Sequence, residues 1–194
     1  MKARRITRGL ALGAAAVAVG TWSSTDEGRE RDAEAFRRLN GGNGPGADRF
    51  YGGITELGSW WAAGAAAGAL ALTGHRKAAA RALGAASITW LAAQGLKRVF
   101  LRPRPYEADP DGTRLMIGRP HGTSWPSSHP AVLVTFLTVA GRELDLPAAA
   151  RGLLSALGNA VGVSRVYLGV HYPADVTGGV LLGRAVAELF AGGR

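Results

Sequence analysis

The chain has 194 residues, a length typical of one domain, and 47% of them are hydrophobic whereas only 19% are charged. So large an apolar fraction has to be buried in protein or in lipid. The formal net charge of +9 suits an anionic partner, such as nucleic acid, anionic lipid or a phosphorylated substrate. The sequence has no nucleic-acid-binding motif and no basic stripe with interleaved aromatic residues, and the absence of cysteine excludes disulfides, a thiol nucleophile and cysteine-bound zinc.

The N-terminal part, residues 1–53, begins with basic residues and continues with an apolar stretch, Gly9–Trp22. This stretch is shorter than the ~20 apolar residues of a full membrane span, so a cleaved signal peptide and a first membrane helix both fit it. A short amphipathic helix is predicted around Asp32–Leu39, followed by a flexible glycine-rich turn over residues 41–46. The turn lacks the GxGxxG spacing of a nucleotide-binding loop.

The second part, residues 54–194, contains uncharged runs rich in alanine, glycine and leucine, without the alternation of a β-strand. Such runs favour helices, and each approaches a spanning length when extended by a few residues. Together with the N-terminal stretch they predict an all-α fold, a polytopic membrane bundle of about six transmembrane helices. A soluble helical bundle behind a cleaved signal is the alternative. The runs are Leu57–Thr73, Ala82–Leu96, Pro130–Gly141, Gly152–Ser164 and Val176–Gly183.

Three glycine pairs with a spacing of four residues lie in these runs: Gly64/Gly68, Gly158/Gly162 and Gly179/Gly183. This spacing permits close packing of helices in lipid. Chance also produces such pairs in glycine-rich runs, so both interpretations stay open.

The basic loops predict a topology. The N-terminal tail, the loops at 74–81 and 141–151, and the chain end at Arg194 are basic and fall on one face if the chain crosses about six times. Residues 23–53, 97–128 and 165–172 then fall on the opposite face. We therefore expect an integral cell-membrane protein with both termini in the cytoplasm and any site formed by these segments on the extracytoplasmic side.

A first cluster of chemically capable residues follows the second long run. Lys97 lies near the end of a predicted helix, and Pro103 and Pro105 favour extended chain before Arg104. Arg104 is then free to point back toward Lys97. A basic cluster that contacts lipid headgroups at a helix end is the alternative.

A second cluster, Ser127, Ser128 and His129, precedes an apolar run and lies between two prolines. Serine is a good N-cap, and the free N–H groups of a helix N-terminus can bind phosphate. A plain helix cap with an incidental histidine is the alternative.

The third cluster contains Ser164-Arg165, His171 and Asp175. Pro173 is expected to open the last helix and to place Asp175 in its first turn. Asp175 can then accept a hydrogen bond from one ring nitrogen of His171 and leave the other free as a nucleophile. A local capping contact is the alternative.

The remaining histidines, His75 and His121, are predicted to be surface residues. The sequence has no HExxH or other tight metal-ligand spacing.

These three clusters, in this order, resemble the signature of the type 2 phosphatidic acid phosphatase superfamily, which includes membrane lipid phosphatases, bacterial acid phosphatases and vanadium haloperoxidases. Its pattern is Lys-x6-Arg-Pro, then Pro-Ser-Gly-His, then Ser-Arg-x5-His-x3-Asp. The first and third parts are matched in full, and in the second Ser128 stands where the family has glycine. The resemblance implies an acid phosphatase/haloperoxidase-like helical core of the six-helix membrane branch.

The resemblance also implies a mechanism. His171 attacks phosphorus, Asp175 orients His171, and His129 acts as general acid and then as general base. The phosphate-binding residues are Lys97, Arg104, Ser127, Ser128 and Arg165. Neither a metal nor an organic cofactor is required, because three cations lie beside the phosphate.

A site at the outer interface of a helix bundle suits a lipid phosphate or diphosphate whose tail stays in the bilayer. Family precedent favours a polyprenyl carrier, and phosphatidylglycerophosphate and phosphatidate are alternatives. A soluble secreted acid phosphatase or haloperoxidase-like enzyme is another, as is a non-catalytic membrane protein with a vestigial phosphate site. The expected partners are the lipid substrate and membrane lipids, without nucleic acid; the sequence indicates no oligomeric state.

Overall fold

A computed structural model describes residues 2–190, without the side chain of Lys2; Met1 and residues 191–194, which include Arg194 of the predicted cytoplasmic end, lie outside the described residues. Every regular element within this range is helical, which confirms the all-α prediction for it. A short 3-10 turn, Glu56–Gly58, follows the third helix. The helices are α1 (Lys2–Trp22), α2 (Asp26–Asn40), α3 (Gly44–Thr55), α4 (Trp60–Leu72), α5 (Arg76–Phe100), α6 (Pro105–Ala108), α7 (Ser128–Glu143), α8 (Ala148–Tyr167) and α9 (Pro173–Phe190).

The predicted apolar runs fall mainly within six helices that pack against one another: α1, α4, α5, α7, α8 and α9. Helix α7 is central, since it packs against α4, α5, α8 and α9, while α1 lies along α9. The core between these helices is built from small side chains such as Ala82 and Ala86 of α5, which are fully buried, together with Val132 and Phe136 of α7. Small side chains allow helix backbones to approach closely.

A buried polar contact joins three of these helices. The hydroxyls of Thr89 in α5 and Thr135 in α7 lie 2.9 Å apart. Thr135 Oγ1 also lies 3.0 Å from the carbonyl oxygen of Gly183 in α9. Buried hydroxyls need such partners, so this contact fixes the relative rotation of α5, α7 and α9.

Two of the three glycine pairs lie at close helix contacts. A Cβ at Gly179 would lie 2.3 Å from the carbonyl oxygen of Ser127, and one at Gly183 would lie 2.5 Å from that of Ala131. The Gly158/Gly162 pair lies equally close to side chains of α7 and α9. The packing interpretation is wrong for Gly64/Gly68, because nothing lies within 4 Å of either added Cβ.

Helix α2 is longer than the helix predicted over Asp32–Leu39. It begins at Asp26, where the hydroxyl of Thr25 accepts a hydrogen bond from the N–H of Gly28 at 3.1 Å. This cap satisfies an N–H that would otherwise lack a partner, and so adds a turn and a half that hydrophobic periodicity alone does not predict.

The glycine-rich turn is shorter than predicted. Helix α3 starts at Gly44, with Pro45 in its first turn, where the fixed φ of proline suits a helix. The ring of Tyr51 packs on that of Tyr167 in α8, with 4.4 Å between centroids. This tertiary contact stabilises helical structure in a segment whose glycines disfavour it. The boundary predicted after residue 53 falls within α3.

The membrane part of the fold prediction stays a prediction. Within residues 2–190, no helix combines the length and the hydropathy that a membrane span requires.

Candidate active site

The predicted site residues lie on four segments that meet at one end of the bundle. These segments are the end of α5 with the loop after it, the start of α7, the end of α8, and the loop that leads into α9. The residues are Lys97, Arg104, Ser127, Ser128, His129, Arg165, His171 and Asp175. All except Ser128 and His129, which are partly exposed, are buried.

The loop between α8 and α9 positions His171. The carbonyl oxygen of Arg165 accepts hydrogen bonds from the N–H groups of Val170, at 3.1 Å, and His171, at 3.3 Å. Gly169 has a φ of +83°, a conformation that residues with a Cβ rarely adopt. The end of α8 therefore holds His171 directly, and only 2% of this residue is exposed.

The two ring nitrogens of His171 face different groups. Nδ1 lies 3.4 Å from Oδ2 of Asp175, four residues later in the first turn of α9. Nε2 lies 3.3 Å from Nη1 of Arg104. As predicted, Pro173 opens α9 and Asp175 reaches back to the histidine, so the predicted His–Asp contact is present in the structure.

Asp175 is fully buried, and each of its oxygens has partners. Oδ1 accepts a hydrogen bond from Nη1 of Arg102 at 2.7 Å. Oδ2 accepts from the N–H of Tyr172 at 2.8 Å and from the hydroxyl of Ser124. A carboxylate that accepts this many hydrogen bonds is held in one orientation and kept ionised.

Main-chain carbonyls hold two of the cations in place. Lys97 Nζ donates to the carbonyl oxygens of Thr123, at 2.6 Å, and Ser124, at 3.1 Å. Arg104 donates from Nη1 to the carbonyl oxygen of Val170 at 2.9 Å. Both side chains are buried, with 7% of Lys97 and 3% of Arg104 exposed, so the lipid-headgroup interpretation is wrong for them.

Two predicted phosphate-binding donors are buried without a hydrogen-bond partner among the described residues. They are Nε of Arg165, whose Nη1 donates to Thr55 Oγ1 at 2.8 Å, and the hydroxyl of Ser127. Ser127 occupies the N-cap position of α7, but its side chain makes no capping bond, so the plain-cap interpretation is wrong. Buried unpaired donors are costly, about 1–3 kcal/mol each, and a phosphoryl oxygen would satisfy them.

His129 lies in the first turn of α7. Gly58 packs against it so closely that a Cβ there would lie 2.8 Å from Cβ of His129. Arg165, Arg104 and Lys97 act electrostatically on His129, and the last two also act on His171. Both imidazoles are therefore subject to the charges of Lys97 and Arg104.

The electrostatic surroundings keep His171 neutral. Burial lowers the pKa of this imidazole well below its usual value, and the charges of Arg104 and Lys97 lower it further, against the opposing effect of Asp175. A neutral imidazole has one unprotonated ring nitrogen, which a nucleophile needs.

An apolar groove of about 570 Å³ opens beside His129. It lies between α4, α5 and α7, and its polar lining consists of Ser59, Ser87, Ser128 and His129. Its apolar lining includes Trp60, Trp61, Trp90, Leu91 and Val132. Such a groove can hold a hydrocarbon chain with the polar end at the cations.

Sequence reasoning missed Arg102, Asp32 and Ser124, which surround Asp175. Arg102 also precedes a proline, but its spacing from Lys97 does not fit the family pattern, which selects Arg104 instead. Asp32 lies in α2, and no local signal connects it to a residue in α9. His75 and His121 are exposed, as predicted.

No group of three or more His, Asp or Glu side chains in residues 2–190 is arranged as a metal site.

Comparison with known proteins identifies the family of the chain. Residues 77–192 match the model of the PAP2 superfamily. Over 124 residues the chain is 34% identical to the decaprenylphosphoryl-5-phosphoribose phosphatase of Mycolicibacterium smegmatis. The match covers 64% of this chain and 64% of that protein, so it spans less than two thirds of the relative.

Two solved structures are similar in fold. A transmembrane PAP2-type phosphatidylglycerolphosphate phosphatase from Bacillus subtilis superposes with a TM-score of 0.75 at 22% identity, over 94% of each chain. LpxE of Aquifex aeolicus superposes with a TM-score of 0.70 at 27% identity, over 79% of this chain and 90% of that one. Because the family model covers more than half of the chain, the family predicted from the three clusters is confirmed: the chain belongs to the PAP2 superfamily.

Proposed function

We propose that this protein hydrolyses a lipid phosphate or diphosphate monoester, of the polyprenyl type, through a phosphohistidine intermediate. The observation that carries the proposal is the position of His171 between Asp175 and Arg104, with 3.4 Å to the carboxylate and 3.3 Å to the guanidinium. This is the arrangement of a nucleophile that is oriented on one side and faces a phosphate-binding cation on the other.

In the first step, the lone pair of His171 Nε2 attacks phosphorus while the bond from phosphorus to the leaving oxygen breaks. Lys97, Arg104 and Arg165 stabilise the charge of the phosphoryl oxygens, and the unpaired hydroxyl of Ser127 donates to one of them. His129 gives a proton to the leaving oxygen. Asp175 stabilises the positive charge that forms on His171.

In the second step, His129 takes a proton from water, whose oxygen then attacks phosphorus. The phosphorus–nitrogen bond breaks, its electron pair returns to His171, and inorganic phosphate leaves. With a monophosphate the lipid product is an alcohol, and with a diphosphate it is a monophosphate. The three cations carry the charge of the transferred group, so the proposed reaction needs no metal.

The apolar groove supports a lipid substrate. Its lining includes both His129 and the apolar side chains of Trp90 and Leu91 in α5, so a substrate with its phosphate near His129 would have its hydrocarbon tail against these side chains. A flexible, branched polyprenyl chain suits a wide groove lined by indole rings. The name of the mycobacterial relative, a decaprenylphosphoryl-5-phosphoribose phosphatase, supports the polyprenyl preference. Phosphatidylglycerophosphate, the substrate named for the Bacillus structure, is the alternative.

A position in the cell membrane, with the site on the extracytoplasmic side, is part of the proposal. The segments 74–81 and 141–151, predicted as basic loops, lie largely within the ends of α5, α7 and α8, and they are at the end of the bundle away from the site. By the positive-inside rule, this end would face the cytoplasm. Large apolar side chains also point outward from the long helices. Examples with their exposed fractions are Leu10 at 65%, Leu72 at 91%, Leu91 at 61%, Val99 at 73% and Leu153 at 74%.

The test is phosphate release by the purified chain in detergent, with polyprenyl diphosphate, polyprenyl phosphate, phosphatidylglycerophosphate, phosphatidate and a water-soluble aryl phosphate. We expect the highest kcat/KM with a polyprenyl substrate and inhibition by vanadate, which mimics the five-coordinate phosphorus of the transition state. If phosphate were released from none of these substrates, the proposed phosphatase activity would be refuted. A preference for the aryl phosphate, with protein in the aqueous fraction, would identify the soluble alternative.

The intermediate can be detected separately. Quenching during turnover of radiolabelled substrate should leave label on the protein that acid removes and alkali does not, as is typical of a phosphorus–nitrogen bond. The label should be absent from His171→Ala. Label that persists in this variant would move the nucleophile to another residue.

A further inference from the structure

Arg102 and Asp32 form a second buried layer behind the His171–Asp175 pair. Arg102 Nη1 donates to Asp175 Oδ1 at 2.7 Å, and its Nη2 donates to Asp32 Oδ2 at 2.8 Å. Asp32 Oδ1 accepts a hydrogen bond from the N–H of Ala174 at 2.9 Å. The planar guanidinium therefore joins a carboxylate of α2 to a carboxylate of α9, and Asp32 also holds the start of α9.

This bridge is buried to an unusual degree for charged residues. Only 6% of Arg102 and 3% of Asp32 are exposed. The other acidic residues of α2 are exposed, and three of them form surface ion pairs along the helix. Buried ion pairs seldom stabilise a fold more than apolar residues of the same size would. Stability alone therefore does not account for the inward position of Asp32.

The geometry points to Arg102 and Asp32 as positioning residues for the nucleophile: Arg102 holds Asp175 with Oδ2 turned toward His171, and Asp32 holds Arg102. Because Arg102 binds Oδ1, the other oxygen, Oδ2, faces Nδ1 of His171, alongside the N–H of Tyr172 and the hydroxyl of Ser124. The centroid of the Tyr172 ring lies 4.2 Å from Cζ of Arg102, so this ring packs on the guanidinium. This inference rests on the proposed function, since only a catalytic His171 has to be positioned.

We expect the bridge to act on the pKa of His171 as well, through its effect on Asp175. Asp175 favours the protonated imidazole, whereas Arg104 and Lys97 disfavour it. Without the charge of Arg102, Asp175 acts more strongly, and the pKa of His171 rises. Without the charge of Asp32, Arg102 offsets more of the charge of Asp175, and the pKa of His171 falls. The two substitutions therefore act in opposite directions, which loss of packing would not produce.

The experiment compares the purified wild-type chain with Arg102→Gln, Arg102→Lys, Asp32→Asn and His171→Ala. Arg114→Gln is the matched control, because Arg114 pairs with Asp48 at 2.6 Å and neither residue contacts Asp175. Each protein is assayed for phosphate release against substrate concentration and pH, for inhibition by vanadate, and for thermal unfolding in detergent. Vanadate reports binding at the cations independently of the chemical step.

We expect kcat to fall about 10- to 100-fold in Arg102→Gln and Asp32→Asn, with KM and vanadate inhibition within about threefold of the wild type. The acid limb of kcat/KM should move to higher pH in Arg102→Gln and to lower pH in Asp32→Asn. Arg102→Lys, which keeps the charge, should keep the wild-type acid limb and recover part of kcat. Arg114→Gln should match the wild type.

Shifts of the acid limb in the same direction, or kcat values at the wild-type level while His171→Ala is inactive, would overturn this inference and leave the proposed function intact. A similar drop in kcat for Arg114→Gln and Asp32→Asn, with unfolding temperatures lowered alike, would reduce the bridge to a structural role. A wild-type chain as inactive as His171→Ala would overturn both proposals.

Discussion

The guanidinium of Arg104 contacts the ring nitrogen of His171 that faces away from Asp175, with 3.3 Å between Nη1 and Nε2. Arginine only donates hydrogen bonds, so Nε2 has to accept, and the ring proton is on Nδ1, next to the carboxylate. This is the tautomer that nucleophilic attack requires. The bound phosphoryl group would then lie where Arg104 and Nε2 meet.

Replacing the nucleophile should abolish activity without unfolding the protein. We expect His171→Gln to lower phosphate release by about 1,000-fold or more, because no neighbouring group can replace the imidazole lone pair. His75→Gln, an exposed histidine at the start of α5, is the control and should keep full activity. Phosphate release and thermal unfolding, measured on the same samples, would check this. Substantial release by the glutamine variant would exclude His171 as the nucleophile.

The activity should persist in mildly acidic solution. Burial, with Arg104 and Lys97, lowers the pKa of His171, so the imidazole stays neutral below the usual histidine value of about 6.5. The acid limb of kcat/KM should therefore lie below that pH. The same shift gives a contribution to stability that is complete above about pH 6.5 and is lost as the pH falls toward the folded-state pKa. A pH–rate profile of the wild type locates the acid limb of kcat/KM. An acid limb above pH 6.5 would contradict the argument that burial lowers the pKa of His171.

Close packing between α7 and α9 should make Gly179 intolerant of a side chain. Gly179→Ala places a Cβ 2.3 Å from the carbonyl oxygen of Ser127, so the start of α7 has to shift. We expect a loss of about 1–3 kcal/mol in the free energy of unfolding together with lower kcat. Gly68→Ala in α4, where nothing lies within 4 Å, should instead be neutral or stabilising. Thermal unfolding of both variants measures the difference. Equal unfolding temperatures for the two would contradict the close packing at Gly179.

The groove should govern lipid selectivity. Trp90→Ala removes an indole from its wall, so we expect kcat/KM to fall about 10-fold for long-chain substrates and little for an aryl phosphate that has no tail. Trp22→Ala, at the end of α1 and outside the groove, is the control. Assays against a series of tail lengths measure the effect. An equal loss on all substrates would place the tail elsewhere.

Position 128, where the chain has serine and the family has glycine, should tolerate either residue. Ser128 is the first residue of α7 and lines the groove, and its main-chain N–H is present with either side chain. We therefore expect Ser128→Gly to keep kcat within about threefold of the wild type. A drop beyond 10-fold in steady-state kinetics would show that the hydroxyl itself contacts the substrate.

Sequence predicted the parts of the site that depend on local spacing. His171 and Asp175 are one helical turn apart, and Pro173 marks the start of α9, so their contact follows from short-range geometry. The family pattern then connected them to Lys97 and Arg104. Asp32 could not be found in this way, because 142 residues separate it from Ala174, its partner in α9.

The fold was predictable to the same extent. Uncharged runs predicted the long helices, whereas α3 depends on the contact between Tyr51 and Tyr167, which a single sequence does not reveal. The Gly64/Gly68 spacing predicted packing that is absent, because a glycine pair does not tell whether another helix lies opposite.

One main-chain link has a consequence for how such a site can diversify. The N–H of Ser127 donates to the carbonyl oxygen of Asp175 at 2.9 Å. This hydrogen bond connects the residue before α7 to the first turn of α9. No substitution short of proline removes this bond. Loops and groove walls can therefore vary to accept new lipids while acid and nucleophile stay in register.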